Sequence, residues 1–130
     1  MEKKKEFLFK GKTVEELQTL DVREFSKLIE SRKRRTVLRQ FQEIEKFVSR
    51  SKAKIARKKQ VKTHDRYLVI VPHMVGMRIQ VHKGNGYTPV DVVGEMLGHK
   101  LGEFAPTRNR VAHTKAGVGA TKGSMAKAKI

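Results

Sequence analysis

Gly98-His-Lys-Leu-Gly-Glu-Phe-Ala-Pro-Thr-Arg-Asn-Arg110 is the stretch on which the reading of this chain turns. It closes the segment Lys62–Arg110, which combines β-rich apolar runs, glycine punctuation and a basic exit. By its residues this segment is the only part of the chain able to build a compact core. The candidates are Tyr67–Val71, Val75, Ile79, Val81, Val90, Val93, Met96, Leu97, Leu101 and Phe104. Such a core is small for a domain without disulfides or metal, which predicts marginal stability and reliance on a partner.

Upstream of the quoted stretch the segment predicts three strands. Tyr67-Leu-Val-Ile-Val71 is a continuous apolar run ended by Pro72, the pattern of a strand buried on both faces. Arg78-Ile-Gln-Val-His82 alternates polar and apolar, as a half-buried strand does. Lys83-Gly-Asn-Gly86 is a hairpin loop, and Tyr87-Thr-Pro-Val90 completes the hairpin with Pro89 marking a sheet edge. Gly94-Glu-Met-Leu-Gly98 predicts one helical turn with a glycine stop.

Further out, residues 1–12 show no usable period. Thr13-Val-Glu-Glu16 and Asp21-Val-Arg-Glu24 are capping-box signals that open two short helices with apolar faces Leu17/Leu20 and Phe25/Leu28/Ile29. From 32 to 59, Val37, Phe41, Ile44, Val48 and Ile55 follow a period near 3.6 with no Pro or Gly. A continuous helix here would run roughly 40 Å at ~1.5 Å per residue. Downstream, residues 105–130 have no apolar period and cannot fold alone.

Charge sorts the chain in the same way. The 130 residues hold 30 Lys+Arg against 13 Asp+Glu, net +17. Residues 32–63 carry thirteen basic and two acidic side chains, and 105–130 six basic and none acidic. Residues 1–31 and 64–104 are each neutral. Two basic limbs on a neutral body point to a polyanion, with nucleic acid ahead of an anionic membrane. There is no cysteine, so disulfides and thiolate chemistry are excluded. No apolar run approaches the ~20 residues of a membrane span, and Met1–Glu6 lacks the apolar core of a secretory signal. A soluble intracellular protein is expected.

No catalytic constellation emerges. The five histidines lack the spacing of a helical metal site, and no serine sits in a nucleophile elbow. No catalytic residue, metal or cofactor is expected. Glu103 is expected to pair with a nearby cation. The polar residues make better sense as contacts to RNA phosphates. They are Arg34, Arg35 and Arg39 in the helical region, and Lys62, His64, Arg66, Arg78 and His82 beside the strands. Lys83 and Asn85 lie in the hairpin loop, His99, Lys100, Arg108 and Arg110 in the exit, and His113, Lys115 and Lys122 in the tail. With two tyrosines and no tryptophan, a stacking platform for single strands is poorly supplied, which favours reading RNA by shape.

Lys62-Thr-His64, Val71-Pro72, Val75-Gly76, Val81-His82-Lys83-Gly84 and above all Gly98–Arg108 resemble the universal ribosomal family of small-subunit protein nineteen, numbered fifteen in eukaryotes. The resemblance is close over about 60–115. The long amino-terminal helices and the tail with Gly117-Val-Gly-Ala120 are similar to the archaeal and eukaryotic branch. It implies a non-enzymatic protein of the small-subunit head. Its partners would be ribosomal RNA, neighbouring protein thirteen of the same subunit and, through a tail reaching the decoding centre, transfer RNA. No membrane contact or homo-oligomer is expected. On charge alone, a free-standing, non-specific, chromatin-like nucleic-acid-binding protein remains the alternative. The expected fold is α+β. A helical basic extension over 1–60, including one long basic helix, precedes an RNA-binding core over 61–110. That core holds a small three-stranded sheet with a short helix, and an extended Gly/Ala/Lys tail follows over 111–130.

Overall fold

The computed structural model describes residues 5–110. Four helices come first: α1 (Val14–Gln18), α2 (Val22–Ser26), α3 (Ser31–Arg39) and α4 (Phe41–Ala56). A three-stranded sheet follows, β1 (Val61–Thr63), β2 (Arg78–His82) and β3 (Tyr87–Asp91), in the order β1-β2-β3. Short 3₁₀ turns occupy Pro72–Met74, Gly94–Met96 and Leu101–Phe104. The fold is α+β, as expected.

Both capping boxes form. Thr13 and Glu16 satisfy each other's backbone N–H groups, and Asp21 and Glu24 do the same, so α1 and α2 start where the sequence places them. Each is too short to persist alone. They hold because Leu17, Val22 and Phe25 are buried in the common core. Phe9, in the stretch without a period, packs its ring 5.9 Å from that of Phe25.

Helix formation over 32–59 is interrupted. Gln40 has φ −96° and ψ 6°, which ends α3 and starts α4, so the expected continuous helix is two helices. One turn earlier, the Thr36 hydroxyl donates to the Arg32 carbonyl, a bond that bends helices. Val37 on α3 and Ile44 on α4 are both buried, while Ile55 of the predicted stripe stays exposed.

The apolar run Tyr67–Val71 is not a strand of the sheet. Leu68–Val71 are buried, as predicted, but the run pairs with 98–102 through an isolated bridge between Val69 and Lys100. Leu101 N–H donates to Leu68 O, Ile70 N–H to His99 O and Gly98 N–H to Ile70 O. A regular ladder cannot grow there, because 3₁₀ turns flank the partner segment and Gly98 sits at φ +82°. Tyr67 is 47% exposed, and its hydrogen bond with Glu43 raises the phenol pKa. Val93, also assigned to the core, is exposed. The third strand is instead Val61–Thr63, parallel to β2 with Lys62 opposite Gln80. β3 runs antiparallel to β2, with Pro89 opposite Gln80 on an edge strand.

The core is not confined to 62–110. Leu17, Val22, Phe25, Ile29, Val37, Ile44, Phe47 and Val48 form one buried cluster with Val61, Ile79, Val81, Val90 and Leu101. The helical region therefore supplies a large part of the interior. Burial also lowers the pKa of half-buried His73, assisted by Lys52 and opposed by Asp21 and Glu45. Phe25→Ala is expected to destabilise the protein by about 3–5 kcal/mol. Urea denaturation followed by circular dichroism checks this, and a loss confined to a few tenths would mean that the helices are appended rather than integral.

Candidate nucleic-acid interface

The sheet has one covered and one open face, and strand alternation decides which side chains occupy each. Val61, Thr63, Ile79, Val81 and Val90 point inward and are buried. The register aligns Lys62 with Gln80 and Pro89, Arg78 with Asp91, and His82 with Tyr87 on the opposite face. All of these are exposed or half-exposed.

At one end of that face, three rings from the three strand regions meet. His64 and His82 stack with centroids 4.1 Å apart at 27°. Tyr87 meets both edge-on, at 5.7 Å from His64 and 5.1 Å from His82. The Tyr87 hydroxyl lies 3.0 Å from His64 Nε2, and Gly84 N–H donates to His82 Nδ1 at 3.2 Å. Lys62 Nζ sits 5.2 Å from the centre of the Tyr87 ring, a cation–π distance. Lys83 and Asn85 follow in the adjoining hairpin loop. At the other end Arg78 pairs with Asp91 at 3.6 Å, both well exposed, a contact of small net value.

Two cationic openings border the sheet. A groove of about 570 Å³ is lined by Lys58, Lys59, Arg78, Gln80 and Pro89 among others. A cleft of about 200 Å³ lies between α4 and β1, lined by Arg50, Ser51, Lys54, Lys62 and His64, with Asp65 the one carboxylate.

The structure separates the predicted residues into two kinds. Lys62, His64 and His82 come together on the open face, whereas Arg35, Arg39, Lys100, Arg108 and Arg110 are exposed elsewhere. Arg34 and Arg66 have another task. Arg34 donates from Nε to Ser26 O and from one terminal nitrogen to Lys27 O and Ile29 O, closing the carboxyl end of α2. Arg66 donates to His82 O at 2.6 Å, Gly102 O at 2.8 Å and Ala105 O at 2.6 Å. Glu103 Oε2 lies 2.7 Å from His99 Nδ1, within hydrogen-bond distance. His113, Lys115 and Lys122 lie outside the described residues.

Sequence reasoning missed Ser51 and Lys54 as part of this surface, and Tyr87 as a ring of the cluster. The Arg50/Lys54 spacing of four residues was the available signal, since it puts both on one helix face. Among the described residues no group of three or more His, Asp or Glu is placed to hold a metal ion. No described helix is long and apolar enough to cross a membrane.

Arg66→Lys keeps the charge but loses the fork that reaches three carbonyls. It is expected to cost about 2 kcal/mol of stability in urea while leaving the salt dependence of RNA binding unchanged. A changed salt slope with unaltered stability would make Arg66 a phosphate contact instead.

Comparison with known proteins adds an independent line. A family model described as Ribosomal protein S19 matches residues 8–113. The chain is 39% identical over 122 residues to the small ribosomal subunit protein uS19 of Methanococcoides burtonii, covering 94% of this chain and 88% of that protein. It is 41% identical over 123 residues to the protein of the same name from Methanocella arvoryzae, covering 94% and 86%.

Proposed function

The chain belongs to the ribosomal protein S19 family, and from that premise we propose that it binds ribosomal RNA in the head of the small subunit. As a member of that family it is a structural constituent of the small ribosomal subunit in the cytoplasm and not an enzyme. Ribosomal RNA and ribosomal neighbours are its partners on that account. The finer reading adds protein thirteen as the neighbour and an approach of the tail to transfer RNA at the decoding centre.

One observation supports RNA as the direct ligand. Among the described residues Arg78–Asp91 is the one ion pair formed by a lysine or arginine. The thirteen basic side chains of 32–63 therefore have no carboxylate partner among the described residues, although several are fixed on packed helices. Cations held in a rigid array without carboxylate partners suit a polyanion of fixed shape. The role is scaffolding: α3 and α4 neutralise phosphates while the loops of the small sheet rest on RNA.

A salt titration tests this. With ~8–10 phosphate contacts, affinity falls by roughly a thousandfold or more between about 50 and 200 mM salt. A folded head-domain fragment of small-subunit ribosomal RNA is expected to stay bound at a salt level that strips random RNA and duplex DNA. Release of all three together would reduce the protein to a non-specific polycation. Replacing Lys100 and Arg108 by alanine is expected to lower incorporation into subunits in competition with the unaltered chain, and equal occupancy would remove these two as contacts.

Deleting 113–130 is expected to leave subunit assembly intact and to impair decoding. Failure of the subunits to form would give the tail an assembly role instead.

A further inference from the structure

We propose that the α4–β1 cleft and the ring cluster beside it form a single nucleotide subsite. The cleft takes a backbone phosphate, and His64, His82 and Tyr87 take the adjoining unpaired base. The ligand is thus an unstacked nucleotide of RNA, and the proposal rests on the ribosomal reading for the source of that strand.

The cleft has the charge and size of a phosphate site. Arg50, Lys54 and Lys62 line it against the single carboxylate of Asp65. At about 200 Å³ it holds a phosphate together with several waters, each of which occupies roughly 30 Å³ in the liquid. Ser51 lines the same cleft, is 1% exposed, and its Oγ has no hydrogen-bond partner. A buried hydroxyl without a partner is a cost that calls for one. A phosphate oxygen, an acceptor only, matches the donor that Ser51 and the three cations offer.

The ring cluster supplies the second half. Lys62 and His64 belong to both features, so phosphate and ring sites adjoin. Tyr87 Oη and His64 Nε2 take each other, and His82 Nδ1 takes Gly84 N–H, which fixes the three rings in place. Their exposed ring surface can hold a base by stacking. Such a platform tolerates any base. An acidic protein segment would use the cations but not the rings.

The chain has two tyrosines and no tryptophan, so Tyr67→Phe in the full chain leaves Tyr87 as the sole fluorophore of its class. This variant is titrated with a single-stranded RNA hexamer, an abasic hexamer of equal charge, and polyglutamate. The base-bearing hexamer is expected to quench Tyr87 and to bind about tenfold tighter than the abasic one, a difference that His64→Ala abolishes. Arg50→Ala with Lys54→Ala is expected to lower the salt slope by about one for both hexamers. Equal quenching by the two hexamers overturns the base contact, and equal binding of polyglutamate overturns RNA in favour of an acidic protein. The head-domain RNA fragment is measured alongside. Tight fragment binding with Tyr87 unquenched overturns the subsite and leaves the ribosomal reading standing. Base-dependent quenching without preference for the fragment supports the subsite and overturns the ribosomal reading.

Discussion

One guanidinium ties together three stretches of chain: its own, the end of β2 and the exit segment. Arg66 reaches the carbonyl at the end of β2, 16 residues away, and two carbonyls of the exit segment, 36 and 39 residues away. A planar fork with several donors suits this task, and an ammonium does not. The arrangement also dictates its neighbours. A Cβ on Gly102 would stand 3.0 Å from both Cβ and the carbonyl oxygen of Arg66, so a side chain there would push the exit segment and Arg66 apart by a few tenths of an ångström. Gly102 N–H then donates to that same Arg66 carbonyl at 2.9 Å. The exit run is therefore set by packing as much as by any ligand. Leu101 and Ala105 are buried, Gly98 turns at positive φ, and His99 and Glu103 pair across one turn.

What was legible in the sequence was whatever local chemistry decides. The capping boxes place α1 and α2, the glycines and Asn85 place the hairpin, and Pro89 places the edge strand. What was not legible depends on tertiary competition. The break at Gln40 has no Pro or Gly to announce it. Val61–Thr63 is too short to show a period and follows a helical pattern that masks it. Leu68–Val71 has the composition of a buried strand and is buried, but its partner is a chain of turns, so it never enters a ladder.

The candidate site follows the same division. Composition and segment charge pointed to a polyanion without any structure. They could not distinguish Arg34 from Arg35, although the first donates to three backbone carbonyls and the second is exposed. Nor could they show the α4–β1 cleft, because one of its walls is the strand that was not foreseen. The tyrosine count argued against a stacking platform, but counting overlooks that two histidines and one tyrosine converge across three strand regions.

With a phosphate in the α4–β1 cleft, as proposed, the joint use of α4 would couple folding to binding. Ile44, Phe47 and Val48 drive one side of the helix into the core, which fixes the positions of Arg50 and Lys54 relative to Lys62. Packing thus brings like charges together at the cleft, and their repulsion is carried by the apolar burial beneath. A phosphate entering between them removes that repulsion and, because it binds only where the helix and strand are already docked, shifts the folding equilibrium toward the native state. On that proposal the polyanion would be both the ligand and a source of stability for a chain with a large excess of positive charge.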